Sequence, residues 1–253
     1  MADSGSEESR RADRKPALLE ARIAAILRAS HFLRALPPDA QAVVEQLAAS
    51  ARLRELRAGE HLWREGDLAS GFHVIGQGLI TVRRSLASGA EVIVAIFGAR
   101  ENVGDTAVVE SACYPADAVV TSETATVIRL DAQLVRKCSA RCPELAAALQ
   151  QALCRHAAAL RTKVDILAAG TVRARLANLF LHLAARFGEV LADGTVVVPV
   201  ALPRTTLASL VSARTETVIR ALRPWETSGL VVTRDGAFLL SDTAALAAYA
   251  AEG

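Results

Sequence analysis

The sequence lacks an excess of charge of either sign. Its 253 residues include 29 lysines and arginines against 27 aspartates and glutamates, which gives a formal net charge of +2. Only basic groups that cluster on one face create a field that attracts nucleic acid. The total charge therefore neither indicates nor excludes a nucleic-acid partner, and evidence for such a partner must come from local clusters.

Long uncharged apolar segments are also missing. Charged residues interrupt even the Ala/Leu-rich region after Pro143, and the first thirty residues have no apolar core ahead of a cleavage site. We therefore predict a cytoplasmic protein with no membrane partner. In that compartment the four cysteines are expected to be thiols or metal ligands rather than disulfides: Cys113, Cys138, Cys142 and Cys154.

What the sequence does contain is a hydrophobic fraction of 52%, enough for a core in each of two domains. Residues 1–30 are predicted to be a flexible or helical N-terminal segment. In residues 31–140, glycines separate short β-branched segments, which predicts an antiparallel β-roll of the jelly-roll type. Residues 141–170 are predicted to form a long helix, and residues 171–253 a second domain that begins at a helix cap. The predicted fold class is α+β.

An apolar stripe with heptad-like spacing runs along the predicted long helix. Its positions recur at intervals of three and four residues over about three heptads, which is typical of a helix that pairs with a second copy of itself. A helix that packs along its own β-domain is the alternative, and some positions could serve both contacts. The predicted dimer seam consists of Leu149, Leu153, His156, Leu160, Val164 and Leu167.

Residues 202–222 carry the pattern of a helix-turn-helix. A short amphipathic helix is expected around Leu207, followed by a three-residue turn and a second helix from Thr215 to Leu222. Ala208 is small at the point where the two helices must cross closely. This spacing predicts a DNA-binding motif.

Two features follow the second helix of this motif. Residues 231–240 alternate around Asp235-Gly236, a strong hairpin signal that predicts a wing. Pro224 lacks an amide and its ring disturbs the bond to the carbonyl of Arg220. The second helix is therefore expected to bend or end near Arg223.

The outward face of the second helix offers a pair of base-reading side chains. Glu216 and Arg220 are four residues apart, so the carboxylate can accept from a cytosine amino group while the guanidinium donates to guanine. Four arginines against one glutamate in residues 204–223 could anchor phosphates. An exposed helix with a single ion pair is the alternative. The outward residues are Arg214, Thr215, Glu216, Ile219 and Arg220, with Thr217 on the flank.

These motifs resemble the family of the cAMP receptor protein and the oxygen regulator FNR, the Crp/Fnr family, over about residues 31–245. The residues that carry the resemblance are RTETVIRAL at 214–222, RAGEHLWREGD at 57–67 with Gly78, and VRARLANLFLHLA at 172–184. The resemblance implies a cyclic-nucleotide-binding-like sensor domain, a dimerisation helix and a winged helix-turn-helix.

The resemblance also implies a homodimer on a near-palindromic DNA site, with RNA polymerase as a partner if the protein is an activator. Glu216 and Arg220 would read a TGA-type core in each half-site, and Arg204, Arg214 and Thr217 would contact phosphates. Ile219 departs from the family's small or hydroxylated residue at this position and could touch a thymine methyl group.

The effector pocket departs from the pattern of cAMP-binding members. Those members hold the ribose with a Gly-Glu turn and the cyclic phosphate with an Arg-Ser pair, whereas this sequence has Gly104-Asp105 and Ala116-Asp117. A phosphate without its arginine, facing an added carboxylate, would be bound poorly. We therefore predict that cAMP is not the ligand.

Several other signals remain open at this point, and the cofactor is unknown. Four thiols could hold an iron-sulfur cluster or form a redox-sensitive disulfide, although isolated cysteines in such helices are most often small buried hydrophobes. Tyr114-Pro115 resembles members that respond to nitric oxide or low oxygen, some of which hold haem. His156 occupies a seam position where a ligand or proton could shift helix pairing, or it is simply a hydrogen-bonded interface residue.

Two other functions compete with the DNA-binding regulator. A thiol-based redox protein would use Cys138 and Cys142, but no partner acid or base is recognisable near them. A nucleotide-binding regulatory subunit without DNA function would leave the helix-turn-helix unexplained. The sequence therefore favours a regulator and not an enzyme.

Overall fold

The computed structural model describes residues 18–34, 36–85, 91–110, 112–199 and 202–252. It opens with helix α1 (residues 18–29), a 3-10 turn (Pro38–Ala40) and helix α2 (Gln41–Ser50). The predicted flexible start of the N-terminal segment lies outside the described residues. Both helices contribute to the core of the domain that follows, through residues such as Leu27 and Leu47.

Eight strands form two four-stranded antiparallel sheets that enclose this core. One sheet has the order β1 (Arg52–Arg57), β8 (Thr124–Asp131), β3 (Gly71–Gln77) and β6 (Asn102–Val103). The other has the order β2 (His61–Trp63), β7 (Asp117–Val120), β4 (Ile80–Ser85) and β5 (Glu91–Phe97). A short helix, α3 (Asp105–Glu110), follows β6. This arrangement confirms the predicted β-roll.

Three helices lead out of the β-roll. Helix α4 (Ala132–Ser139) begins where the Asp131 carboxylate accepts from the amides of Gln133 and Leu134. Helix α5 (Pro143–Ala168) is 26 residues long. Helix α6 (Val172–Phe187) is capped by Thr171, whose hydroxyl accepts from the amide of Ala174 at 3.1 Å. The predicted long helix and the predicted cap at Thr171 are confirmed.

Helix α6 ends at Gly188, which does not form a left-handed cap. Its φ is −75°, which any residue can adopt. A Cβ at this position would clash with the carbonyl oxygen of Ala184 and lie 2.7 Å from Cγ1 of Val196, so the close approach of the last turn of α6 and of Val196 requires glycine. Among the helices of the described residues, none is both long and apolar enough to cross a bilayer.

The predicted seam along α5 divides into two parts. Leu149 is buried against the β-roll of its own chain, and His156 also turns toward that roll. Leu160 and Val164 are instead 49% and 65% exposed. His156 therefore serves the contact of α5 with its own β-roll, which the prediction allowed for some positions of the stripe, whereas Leu160 and Val164 are the part of the predicted seam that stays exposed.

The C-terminal domain is a helix-turn-helix with a small antiparallel sheet. Its helices are α7 (Arg204–Leu210), α8 (Thr215–Ser228) and α9 (Thr243–Ala251). The sheet has the order β11 (Val231–Arg234), β12 (Ala237–Leu240), β10 (Val196–Val198) and β9 (Glu189–Val190). Asp235 and Gly236 both have positive φ, 49° and 75°, at the tip of the β11–β12 hairpin. The predicted wing is confirmed.

Helix α8 does not end near Arg223. It continues through Pro224 to Ser228 and stops at Gly229, which has a left-handed φ of 75°. Trp225 is buried beside Phe180 and Tyr249, with ring centroids 6.4 and 5.2 Å away. Burial of this large aromatic side chain holds the last turns of the helix, and it outweighs the hydrogen bond that Pro224 cannot donate.

The helix-turn-helix domain packs directly against the β-roll. Ile93 and Ile96 of β5 lie in the same hydrophobic cluster as Leu210 and Val211 of the helix-turn-helix. Lys163 of α5 donates to the carbonyl of Leu210, at the C-terminal end of α7. The position of the DNA-binding motif is therefore tied both to the sensor domain and to the long helix.

Candidate DNA interface and sensor site

The helix-turn-helix positions its second helix with one face in the core and one face in solvent. Leu207 and Ala208 of α7 and Val218 and Leu222 of α8 are buried. Ser212, in the turn, has a positive φ of 50°, and Arg214 serves as the N-cap of α8. This packing leaves the N-terminal half of α8 projecting from the domain.

The predicted base-reading residues lie on that projecting face. Glu216, Ile219 and Arg220 are exposed, and Thr215 is half-buried. No ion pair joins Glu216 to Arg220 or to any other of the described residues. Both charged groups can therefore meet base edges without first breaking an internal contact.

The predicted phosphate-binding residues differ in how free they are. Arg214 is exposed and Thr217 half-buried beside it, where the amide of Thr217 donates to the carbonyl of Arg214 at 3.0 Å. Arg204 is already engaged, because its guanidinium donates to Glu226 of α8 and, at 3.2 Å, to Thr233 of the wing. It braces α7, α8 and the wing together, a structural role that the sequence pattern did not reveal.

Three of the predicted effector-pocket residues meet around one indole ring. The Trp63 ring is stacked on that of Tyr114, with centroids 4.1 Å apart and planes 15° apart, and its Nε1 donates to the carbonyl of Ala116 at 2.9 Å. Gly104 has a φ of +89°, and a Cβ there would lie 2.9 Å from the indole. Trp63, which the sequence analysis did not single out, occupies the space among these residues.

Tyr114 is fixed from its other end as well. Its hydroxyl donates to the carbonyl of Gly71, and burial raises the pKa of this phenol. The side chain is therefore a neutral structural link between β3 and the segment before β7. Trp63 and Tyr114 are stacked, and each side chain donates one hydrogen bond to a backbone carbonyl. They therefore form a packed core and not an open ligand pocket.

Asp117, the remaining polar residue of the predicted phosphate position, is used internally. Its Oδ1 accepts from the amide of Glu65 at 2.6 Å, and its Oδ2 lies 3.9 Å from Nε2 of His61. The carboxylate thus secures the segment after β2.

Asp105 is fully buried at the start of α3 and contacts the long helix. Its Oδ2 accepts from Nδ2 of Asn102 at 2.7 Å, and its Oδ1 lies 3.2 Å from Nδ1 of His156. Burial raises the pKa of Asp105, while the neighbouring His156 opposes that shift. Nε2 of His156 lies 3.2 Å from the carbonyl of Asn102, to which it can only donate.

One proton shared between Asp105 and His156 would suit these contacts. With Nε2 protonated, Nδ1 either accepts from a protonated Asp105 or carries a proton and faces a carboxylate. Either form is neutral overall, which suits a buried pair. Because both ring nitrogens are engaged, His156 is not free to serve as the axial ligand of a haem.

The cysteines do not form a common site. Cys113 and Cys154 are exposed, whereas Cys138 and Cys142 are buried near the junction of α4 and α5. Cys138 belongs to α4 and Cys142 is the N-cap of α5, so the two lie on different helices, although the amide of Cys142 donates to the carbonyl of Cys138. In the described part of the chain, no three His, Cys, Asp or Glu side chains are placed to hold a metal ion. An iron-sulfur cluster does not fit these residues.

Thiol chemistry at the Cys138–Cys142 pair is also disfavoured. Burial raises the pKa of the Cys138 thiol, more than the nearby Arg141 lowers it. A raised pKa reduces the fraction of thiolate, which is the reactive form. The Sγ atom of Cys138 donates to Oε1 of Gln46 at 3.5 Å, and this amide is not a base that would activate the thiol.

Comparison with known proteins identifies both domains. The family profile of the cyclic nucleotide-binding domain matches residues 53–142, and that of the Crp-like helix-turn-helix domain matches residues 174–249. The "CRP-like cAMP-activated global transcriptional regulator" of Mycobacterium tuberculosis is 26% identical over 209 residues, which cover 81% of this chain and 92% of that protein.

Solved structures share the fold. FixK2 of Bradyrhizobium japonicum superposes with a TM-score of 0.69 at 18% identity, covering 79% of this chain and 96% of FixK2. CLP of Xanthomonas campestris, described as a c-di-GMP responsive global regulator, superposes with a TM-score of 0.65 at 19% identity, covering 80% of this chain and 100% of CLP. With both characteristic domains present in the same order, the chain belongs to the Crp/Fnr family of transcription regulators and carries that family's DNA-binding helix-turn-helix.

Proposed function

We propose that this regulator is a homodimer that binds near-palindromic DNA with TGA-type half-sites and activates transcription through contact with RNA polymerase. The observation that carries the proposal is that Glu216 and Arg220 on α8 are exposed and form no ion pair with each other or with another of the described residues. Ile219, 50% exposed between them, adds an apolar contact for a thymine methyl group. Arg214 and Thr217 lie beside them at the start of the helix, where phosphate contacts would fix its orientation.

The proposed signal is something other than cAMP. Trp63 fills the space among Gly104, Tyr114 and Ala116, and Asp117 presents a carboxylate where a phosphate would need a cation. Of the redox, gas and small-molecule signals that the sequence leaves open, a small molecule is favoured, because the described cysteines do not converge and His156 is fully engaged.

The DNA-reading role is tested by measuring the affinity of Glu216→Ala and Arg220→Ala variants for a palindromic duplex with TGA half-sites, using fluorescence anisotropy at fixed salt. Each variant should lose about tenfold or more in affinity, because a good base contact contributes about 1 to 3 kcal/mol of discrimination. Glu252→Ala, at an exposed carboxylate beyond α9, is the control and should bind as the wild type does.

The same samples are examined by sedimentation, so that a loss of DNA binding is not confused with a loss of assembly. All three variants should sediment like the wild-type protein. If Glu216→Ala and Arg220→Ala keep the wild-type affinity and the wild-type preference for this duplex over a scrambled one, the assignment of α8 as the reading helix is wrong.

A further inference from the structure

A cavity whose wall contains none of the five predicted effector-pocket residues lies between the β-roll and the two helices that follow it. It has a volume of about 380 Å³, within the usual range for small-molecule sites. Its walls come from the chain after α1, the β5–β6 connection, α5 and α6, through residues that include His31, Glu101, Arg155, Thr162, His182 and Arg186. A ligand there would touch the sensor domain, the long helix and the first helix of the DNA-binding domain at once.

The charge of this cavity is positive. Arg186 donates to both carboxylate oxygens of Glu101 at 2.7 Å, so this acid is neutralised within the wall. Arg155 has only one hydrogen bond among the described residues, a long one of 3.4 Å to the carbonyl of His31. Its exposed guanidinium is therefore available, and Arg34 and Arg100 lie close enough to act electrostatically on His31. No second acid opposes these cations on the cavity wall.

Neutral hydrogen-bond donors complete the polar side. Burial lowers the pKa of His31, and burial together with Arg186 lowers the pKa of His182 to about 4, so both imidazoles are uncharged at neutral pH. Nε2 of His182 lies 3.3 Å from Arg186 and must accept there, which leaves Nδ1–H as a donor. Asn102 and His156 add further polar groups to the wall, and its apolar part consists of Phe97, Ala158, Ala159 and Ala185.

A dimer formed through the exposed stripe of α5 would leave this cavity open. Residues two apart on a helix point about 200° away from each other. Arg155 and Thr162, on the cavity wall, are each two residues beyond a stripe residue, Leu153 and Leu160 respectively. Arg155 and Thr162 therefore point away from the exposed stripe, so the part of the cavity that they line stays open when that stripe is covered.

We propose that this cavity is the effector site and that it binds a small organic anion, with the anionic group held by Arg155 and the organic part packed on Phe97, Ala158 and Ala159. The inference rests on the proposed regulatory function, since it names the class of signal. His156 forms part of the same wall and joins it to Asp105, so a bound anion would act on the contact between the β-roll and α5.

Isothermal titration of the full-length protein with three probes tests this site. Phenyl phosphate and benzoate carry an anionic group on a small apolar ring, and benzyl alcohol is a neutral compound of similar size. We expect saturable binding of at least one anion and none of the alcohol. Arg155→Ala should weaken binding about tenfold or more, as expected for a lost charge-assisted hydrogen bond. Arg161→Ala, at an exposed arginine of α5 off the cavity wall, is the control and should bind normally.

A second variant tests the location independently of charge. Ala158→Leu places a larger side chain in the cavity from an exposed helical position, where leucine is well tolerated, and should also reduce anion binding while the circular dichroism spectrum stays unchanged. Absence of saturable anion binding by the wild type, equal binding of the alcohol, or unchanged affinity in both Arg155→Ala and Ala158→Leu would overturn the proposal.

Anisotropy with the TGA duplex, with and without saturating phenyl phosphate or benzoate, separates this inference from the proposed function. A protein that binds the duplex specifically but no anion refutes the effector site alone. A protein that binds the anion through Arg155 but no specific DNA refutes the proposed function and leaves the site standing. If both bind, DNA affinity should change when the anion is present.

Discussion

At the scale of single residues, the most informative contact in the sensor domain is that between Gly104 and Trp63. Gly104 combines a φ of +89° with a Cβ position only 2.9 Å from the indole. Gly59 has nearly the same backbone, with a φ of +83°, but open space around it. The two glycines therefore separate the effect of backbone conformation from the effect of packing against Trp63.

The comparison of Gly59 with Gly104 gives a prediction for the free energy of unfolding. Gly59→Ala should cost about 1 to 3 kcal/mol, from the unfavourable backbone alone. Gly104→Ala should cost about 1 to 3 kcal/mol more, because the added methyl group must displace the stacked Trp63–Tyr114 pair. Chemical denaturation of both variants measures the difference. Equal losses would show that Trp63 does not fill this position in solution.

His73 is the other unusual single residue. It is buried beside Trp63, and neither of its ring nitrogens has a hydrogen-bond partner among the described residues. Burial, reinforced by Arg54 and Arg129, lowers its pKa from the ordinary value of 6.5 to about 3. The folded protein thus holds this ring neutral in a pH range where the unfolded chain takes up a proton.

The sign of the resulting pH dependence follows from linkage. The stability associated with a neutral His73 is present above pH 6.5 and is lost as the pH falls from 6.5 toward 3, by about 1.4 kcal/mol per pH unit. His73→Phe should therefore flatten the acid side of the stability profile. It should also cost little at pH 7, because it removes unpaired polar atoms. Denaturation between pH 4 and 7 tests this, and parallel profiles for the two proteins would contradict it.

At the scale of elements, the two halves of α5 have different surroundings. Its first half is buried through Leu145 and Leu149, whereas Leu160 and Val164 in its second half remain exposed. Apolar side chains repeated on one face of a helix and left in solvent are the usual sign of a partner helix. The second half of α5 is therefore where we place the contact between the two copies.

Leu160→Glu tests that placement. A carboxylate at the centre of the seam should be strongly unfavourable when buried between helices, so the dimer should dissociate at micromolar concentration while the fold is retained. Ala147→Glu, at an exposed position of the same helix away from the stripe, is the control and should remain dimeric. Sedimentation velocity distinguishes the outcomes. A Leu160→Glu protein that stays dimeric would move the interface elsewhere.

The elements also show how far the sequence could be interpreted. The helix-turn-helix, its wing, the β-roll and the cap at Thr171 follow from local periodicity and turn residues, and all are observed. The continuation of α8 through Pro224 could not be predicted, because it depends on burial of Trp225 against Phe180 and Tyr249 from distant segments. At Pro224 the packing of distant segments outweighs the local tendency of proline to end a helix.

The same limit applies to the candidate sites. Glu216 and Arg220 could be found from their spacing, because a helix face is a local property. The contact of His156 with Asp105, the bracing of Arg204 by Glu226 and the filling of the pocket by Trp63 each join segments that are far apart in the chain. Hence the helical spacing could place His156 on the stripe but could not identify Asp105 as its partner.

At the scale of the whole molecule, the two domains are joined by specific contacts. Lys163 donates to the end of α7, Arg186 of α6 binds Glu101 of the β-roll, and β5 packs against the helix-turn-helix. Burial lowers the pKa of Lys163 to about 8, so it is still mostly protonated at neutral pH. A change at the sensor domain can therefore reach the DNA-reading helix through packed and hydrogen-bonded elements.

We propose above all that this molecule reads DNA as a symmetric dimer through α8. Selection of bound duplexes from a random library by the wild-type protein, followed by sequencing, tests it most directly. We predict an inverted repeat with TGA-type half-sites whose centres are about 10 to 10.5 base pairs apart or a multiple of that spacing. Enrichment of no motif, or of a single half-site without its inverted copy, would contradict the account.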